Sequence, residues 1–329
     1  MENENKPDLS STELGALWLT YHKKTLILRM LEYFIQHAED QQSESLMSDL
    51  HNELLQKVNK IKTLFENEGA SVPIGFTEKD VNLKAPKLWD HGFNVMFSRV
   101  LKEISVGMYV LHLTMSYRKD VIELYEELFR MSGTYYRYFT DYLIGKNLLS
   151  CPNYVNMPKS ADYITDKDYA KGTDILGDKR TINTVEYGYL YHGMETNVIG
   201  MKLMEGFVQT TKDEDLKKYF EKGRKIAKEQ VEDINKKLFD ENIQSPLMPA
   251  GTLGSSTEAP FSDKLMIFCN YLLTGLQMGA AGFGTGFSMR NDLQAKNAVF
   301  GKDIFQYQRE GVQLMMSKGW LEEPPKMDL

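Results

Sequence analysis

The stretch that decides the fold is SSTELGALWLTYHKKTLILRMLEYF, residues 10–34, whose pattern recurs as NTVEYGYLYHGMETNVIGMKLMEGF, residues 183–207. In each copy, apolar residues return every three or four positions, which is the spacing of one face of an α-helix. Each copy also begins with a capping box, in which a Ser or Asn precedes a Glu by three positions. The four capping residues are Ser10, Glu13, Asn183 and Glu186. The two stretches therefore predict two long, equivalent helices.

Further matches place these helices within a duplication of nearly the whole chain. The offset between matching residues stays between 172 and 174, and their order is preserved. The later matches are LF at 64–65 and 238–239, AP at 85–86 and 259–260, SYRKD at 116–120 and SMRND at 288–292, and KNLL at 146–149 and KGWL at 318–321. Each copy is predicted to form four helices, named A to D in chain order.

The connections between the predicted helices indicate their topology. Helices A and B, and helices C and D, are joined by short turns, whereas about twenty residues separate B from C in each copy. A short connection followed by a long one and then by a second short one is the ferritin-like pattern with one crossover. We therefore predict an all-α fold of two tandem ferritin-like four-helix bundles, at 1–155 and 181–329, with a linker at 156–180. Asn147 and Gly319 follow helix D and are predicted left-handed helix ends.

Composition excludes several classes of protein. The 329 residues are 42% hydrophobic and 26% charged with a net charge of −7, which is typical of a globular chain without a basic nucleic-acid-binding patch. Cys151 and Cys269 have no spacing that suggests a zinc site or a disulfide framework. The polar N-terminus lacks the apolar region of a secretory signal, so we predict a cytoplasmic protein.

One segment has the length of a membrane span. Residues 265–289 carry no charge, and Gly275 and Gly279 have the spacing of a membrane helix-dimer motif. The equivalent stretch of the first copy, however, contains Arg99 and Lys102. We therefore predict a soluble core helix and no membrane partner.

The motifs resemble a known family. They are LWLTYHKKTLILRMLEYF in helix A, APKLWD and APFSDK at the crossover ends, SxRxD at the C–D turn, and GWLEEPP near the C-terminus. Together they resemble a tandem-repeat, bacillus-type family of unknown function that is related to spore coat protein F and is ferritin-like in fold. The resemblance implies the fold and a link to spore-forming bacteria. It brings no established activity, so it assigns no catalytic residues.

A ferritin-type metal site is predicted to be absent. Such a site needs a Glu three positions before a His on each of two helices, so that both ligands face inward. The residues three positions before the six histidines are Leu19, Phe34, Ser48, Leu88, Tyr109 and Tyr189. No metal and no other cofactor is therefore predicted. An atypical metal-dependent oxidoreductase using Glu32, His91 and Glu205 is a remote alternative.

Two glutamates extend the apolar stripe of helix A. Glu32 and Glu205 each follow an apolar stripe residue by four positions, and a buried carboxylate needs a partner. The predicted topology places the start of helix C beside them, so we predict that Glu32 pairs with His91 and Glu205 with Lys264. The alternative is a partly exposed Glu at the margin of the stripe.

The C–D turn repeats an Arg and an Asp two positions apart. The four residues are Arg118, Asp120, Arg290 and Asp292. We predict structural bracing, with the Asp capping helix D and the Arg reaching Glu13 or Glu186. Anion binding is the alternative.

Glycines cluster on helix C of the second copy. Gly275, Gly279 and Gly282 lie there with no preceding strand and no following Lys, which excludes a phosphate-binding loop. They allow either the close approach of another helix or room for an apolar ligand. Of the two interpretations we favour close packing.

These observations predict a non-enzymatic structural or interaction protein, associated with the spore coat or with sporulating cells. Self-association or contact with coat proteins follows from that role. The alternative is a helical bundle that binds a small apolar or anionic ligand along the glycine-rich helix.

Overall fold

The computed structural model describes residues 7–172, 180–245 and 251–327, and in these ranges it contains eight α-helices. Segments of the predicted linker and second crossover, 173–179 and 246–250, lie outside the described residues. The first bundle comprises α1 (Ser11–Gln36), α2 (Gln41–Asn67), α3 (His91–Thr114) and α4 (Lys119–Gly145). The second comprises α5 (Thr184–Thr210), α6 (Glu214–Asp240), α7 (Asp263–Phe287) and α8 (Asn291–Ser317). The predicted all-α fold of two tandem four-helix bundles is confirmed.

The helix ends follow the local sequence. Both capping boxes form, with Ser10 and Asn183 accepting backbone hydrogen bonds at the starts of α1 and α5. Beyond α4 and α8, Asn147 and Gly319 have φ of 56° and 67°, which confirms the predicted left-handed ends. These signals are local and occur in both copies, so the two copies produce closely similar helix lengths.

The two crossovers pair with each other across the molecule. The backbone N–H of Asn82 donates to Pro260 (2.8 Å), and that of Gly254 donates to Leu88 (2.7 Å). Both bonds fit the same antiparallel register, and in this register residue 84 lies opposite residue 258. Residue 258 is also the equivalent of residue 84 in the second copy, at the repeat offset of 174. The two bundles are therefore related by an approximate two-fold axis, as the subunits of a symmetric dimer would be.

The bundles share a continuous core. The odd-numbered helices α1, α3, α5 and α7 lie at the centre, and the even-numbered helices lie outside them. Trp89, at the end of the first crossover, contacts Phe207 of α5 with ring centroids 6.0 Å apart. In the same core Cys269 of α7 contacts Met30 of α1. Since apolar side chains of both copies are buried against each other, neither bundle has its complete core alone.

One glycine on α5 is required by this contact. A Cβ at Gly206 would lie 2.3 Å from the ring of Trp89, whose Nε1 donates to the Lys202 carbonyl. Gly206→Ala is therefore expected to destabilise the protein by about 1–3 kcal/mol, measured by urea unfolding. The matched control is Gly200→Ala on the same helix, where a Cβ meets no described atom within 4 Å. That variant should gain up to about 1 kcal/mol, and equal effects of the two changes would contradict the prediction.

Helix α7 has the length and composition of a membrane span. Its most apolar 18-residue window has a mean hydropathy of 1.2, and 50% of that window is buried inside the protein. The buried side contains Leu265, Phe268 and Leu272. The opposite side, toward the C-terminal end of the helix, is open and forms part of the site described next.

Candidate functional site

A large cleft lies between the two bundles, along the C-terminal parts of α3 and α7. Its volume is about 1030 Å³, at the upper end of the range of small-molecule sites in proteins. The N-terminal half of α5 and Leu19 of α1 complete the walls. The apolar lining of the two central helices consists of Ile104, Met108 and Leu111 on α3 and Leu272, Leu276 and Phe283 on α7.

Glycines widen the cleft. Gly275 and Gly279 of α7 line it, together with Gly107 of α3 and Gly188 of α5. A Cβ at Gly279 would meet no described atom within 4 Å, and the nearest atom to one at Gly275 is Gln308 Nε2 at 3.6 Å. The predicted close helix packing is therefore wrong for Gly279, whereas at Gly275 the side chain of Gln308 on α8 lies at ordinary contact distance.

Gly282 does not line the cleft. A Cβ there would also meet no described atom within 4 Å, and the residue is exposed nearer the C-terminal end of α7. Close helix packing is therefore not its role either. Both are exposed glycines of α7 with open space around a Cβ, and of the two only Gly279 lines the cleft, which makes them a matched pair for mutation.

One wall of the cleft is polar and joins α3 to α5. Glu103 accepts a hydrogen bond from Nε2 of His192 at 2.5 Å, and Arg99 pairs with Glu195 at 3.2 Å. The hydrogen bond to Glu103 raises the pKa of His192 above its ordinary value, against the effect of burial. Arg99 also donates to the Tyr136 hydroxyl at 2.6 Å. The two contacts to α5, from Glu103 and from Arg99, hold the two bundles together beside the cleft.

The same positions on the other side of the two-fold axis carry no charge. At the repeat offsets of 172 and 173, Glu103 corresponds to Gly275 and His192 corresponds to Leu19. Where one side has an ion pair, the other has a glycine and a leucine, both lining the cleft. The polar contact is thus present on one wall of the cleft, and it and its side-chain volume are missing from the wall formed by α7 and α1.

Apolar side chains continue from the cleft onto the surface around its mouth. Four large residues there, on α3, α5 and α7, are each half exposed or more: Leu111, Val185, Phe283 and Phe287. Grouped apolar exposure of this kind is typical of binding surfaces.

Three buried lysines lie next to the cleft in the interior of the first bundle. Lys23 and Lys24 of α1 and Lys102 of α3 are each 0% exposed. The Nζ atoms of Lys24 and Lys102 have no hydrogen-bond partner among the described residues. Burial lowers the pKa of all three, that of Lys102 to about 7. Nζ of Lys23 lies 3.7 Å from the centre of the Tyr109 ring.

The described residues also bear on the question of a metal site. In the part of the chain that the structure describes, no group of three or more His, Cys, Asp or Glu side chains is placed to hold a metal ion.

The predicted pairing of Glu32 with His91 is wrong. Glu32 lies on the side of α1 that faces α2, where it accepts from Nε2 of His51 at 3.1 Å and pairs with Arg29 at 2.5 Å. His91 instead contacts the hydroxyl of Tyr142 at 2.8 Å. The two residues therefore belong to separate contacts at the margin of the bundle.

The predicted pairing of Glu205 with Lys264 is also wrong. Glu205 pairs with Lys202 one turn earlier, at 2.7 Å. Nζ of Lys264 donates to the Gly75 carbonyl at 2.9 Å and lies 3.9 Å from Glu322. Lys264 turns toward the first crossover because the two bundles pack together there, which the repeat pattern alone could not reveal. Neither glutamate lines the cleft.

The Arg and Asp of the first C–D turn form a buried cluster at one end of the bundle. Nε of Arg118 donates to Asp120 at 2.8 Å and its Nη1 donates to Glu68, at the end of α2, at 2.6 Å. The Glu13 carboxylate accepts the backbone N–H of Arg118 rather than its guanidinium. Two details of the prediction are thus corrected. Arg118 itself is the N-cap of α4, so Asp120 does not cap it, and the side chain reaches α2 instead of Glu13.

The second copy repeats the cluster with deeper burial. Arg290 donates to Asp292 at 3.0 Å and to Glu241 at 2.8 Å, and its side chain is 0% exposed. Glu186 again accepts the backbone N–H of Arg290, and it also pairs with Arg180 at 2.7 Å. Burial raises the pKa of Glu186, but hydrogen bonds from Arg180 and the backbone outweigh it and leave the pKa at about 2. In both copies one arginine joins the ends of three chain segments.

The family described as "Protein of unknown function (DUF3231)" matches the chain twice, at residues 1–160 and 170–328. The chain belongs to this family. The predicted resemblance to a tandem-repeat family of unknown function is thereby confirmed, and each DUF3231 segment contains one of the two bundles. No curated protein matches the chain.

One solved structure resembles part of the DUF3231 protein. It is a "putative spore coat protein" from Bacillus halodurans C-125, with 19% sequence identity and a TM-score of 0.43. The match covers 45% of this chain and 97% of that one. At this level of similarity the likeness carries no argument about function.

Proposed function

We propose that the protein is a binding protein that holds an apolar small molecule in the cleft between its two bundles. The observation that carries this proposal is a cleft of about 1030 Å³ with walls of glycine and apolar side chains. The proposed function is therefore the ligand-binding alternative predicted from the glycine-rich helix, and not the structural or interaction role that the sequence favoured. A ligand that buries about 300 Å² of apolar surface would gain on the order of 7 kcal/mol before the costs of association.

A leucine at Gly279 is expected to weaken binding of an apolar probe at least about tenfold, because its side chain would occupy the cleft. The probe is the neutral dye N-phenyl-1-naphthylamine, whose fluorescence rises in apolar surroundings, and the measurement is a titration of its fluorescence. The control is Gly282→Leu, which makes the same chemical change on the same helix outside the cleft.

Wild type and Gly282→Leu should bind the dye alike. The proposal fails if wild type does not bind the dye, or if both leucine variants bind it as well as wild type does. Native mass spectrometry of the purified protein adds a direct readout, since a retained ligand would appear as a discrete mass increase.

A structural or interaction role, predicted from the sequence, is the second candidate. The apolar residues at the mouth of the cleft support it, because such a surface favours self-association or contact with coat proteins. Light scattering during size exclusion tests self-association, which a Phe283→Ser and Phe287→Ser double variant should abolish. The cytoplasmic and spore-associated location belongs to this proposal and is tested by a fluorescent fusion in sporulating cells.

A further inference from the structure

Lys23 lies directly behind the wall of the cleft. Leu19, one helical turn earlier on α1, lines the cleft, and Met108 of α3 lines it as well. Nζ of Lys23 is 3.6 Å from Sδ of Met108. The side chain of Met108 is thus shared between the cleft and the buried amine, and it is flexible enough to be displaced by a ligand.

The contacts of Lys23 leave its amine poorly satisfied. A thioether sulfur is a weak acceptor, and a buried amine without an oxygen acceptor is costly. In the described part of the chain no ion pair of 4 Å or less joins Lys23, Lys24 or Lys102 to a carboxylate. These buried amines therefore have no carboxylate partner within 4 Å among the described residues, and a ligand oxygen could satisfy one of them.

We propose that the ligand is a long-chain carboxylic acid, whose hydrocarbon chain fills the cleft and whose carboxylate pairs with Lys23. This inference rests on the proposed function and adds the chemical class of the ligand. Chemical complementarity carries it, since the apolar walls can contact the hydrocarbon chain and the buried amine can take up the acid proton and pair with the carboxylate.

The proton balance of this pairing is favourable. The acid enters in its neutral form and meets a neutral amine, and the proton moves from the carboxyl oxygen to Nζ of Lys23. The product is a hydrogen-bonded ammonium–carboxylate pair, so no net charge is brought into the interior. Glu103 also lines the cleft, but its carboxylate is held by His192 and does not compete for Lys23.

The test compares dodecanoic acid with dodecanol, below the concentrations at which either aggregates. Both are titrated against the dye bound to wild type, to Lys23→Met and to Lys24→Met. For wild type we expect the acid to displace the dye about 30-fold more effectively than the alcohol. Lys23→Met should lose this preference, whereas Lys24→Met, altered at the adjacent buried lysine, should retain it.

The possible results separate this inference from the proposed function. If the dye does not bind wild type, the proposed function fails. If the dye binds but the acid and the alcohol displace it equally, or if Lys23→Met keeps the preference, the function stands and the choice of ligand class is overturned. Circular dichroism of each variant shows that it is folded, and removal of a buried amine is expected to stabilise the fold.

Discussion

Replacing Lys102 by methionine is expected to raise the free energy of unfolding at pH 7 by about 2–4 kcal/mol. Lys102 is 0% exposed, and its Nζ has no hydrogen-bond partner among the described residues. Methionine has a similar length and volume but no amine to desolvate, so the substitution removes a cost without leaving a cavity. Urea unfolding followed by circular dichroism measures the change.

The pH dependence of this effect has a definite sign. Burial lowers the pKa of Lys102 from 10.5 to about 7 in the folded protein. Between these two values the unfolded chain binds a proton at this site that the folded chain does not, so stability rises as pH increases from 7 toward 10.5. Lys102→Met should flatten the slope by up to about 1.4 kcal/mol per pH unit in this window.

The control for this prediction is an exposed lysine in the same bundle. Lys62 on α2 is 52% exposed and lies 3.6 Å from Glu66. Lys62→Met should change stability by less than about 0.5 kcal/mol and leave the pH slope as in wild type. A Lys102→Met variant that is less stable than wild type would show that the amine has a favourable partner in solution.

The sequence predicted most of the fold because the signals for it are local or repeated. The capping boxes at Ser10 and Asn183 and the left-handed ends at Asn147 and Gly319 depend only on neighbouring residues. The duplication appears as matches at a nearly constant offset. Together these features define helix number, helix length and connection order without any knowledge of how the bundles pack.

The site could not be predicted in the same way, since it depends on packing between the copies. A helix in an isolated bundle has one exposed face, and Lys23 and Lys24 have the polarity expected there. In the protein the amines of both lysines instead lie over the ring of Tyr109 on α3, inside their own bundle, so both lysines are buried. The sequence shows the glycines of α7, but whether they allow packing or leave a cleft depends on how the helices of the two copies pack around them.

Arg290→Met is expected to destabilise the protein by about 3–5 kcal/mol, because it removes the cation from a buried cluster of charges. The guanidinium has 0% exposure, and the side chains it contacts, Glu241 and Asp292, are 4% and 14% exposed. Hydrogen bonds from Arg290 and Lys237 keep the pKa of Asp292 below its ordinary value, although burial alone would raise it. Without the arginine that carboxylate becomes easier to protonate, and urea unfolding at pH 7 measures the loss.

The first copy supplies a graded comparison for this prediction. Arg118 makes the same contacts, but its partners Glu68 and Asp120 are 19% and 32% exposed, so water offsets more of the loss. Arg118→Met should therefore cost less, about 2–3 kcal/mol. Arg137→Met, at a side chain that is 64% exposed, should cost less than about 0.5 kcal/mol. Equal losses for all three would mean that burial does not determine what these arginines contribute, whereas the expected order would show that it does.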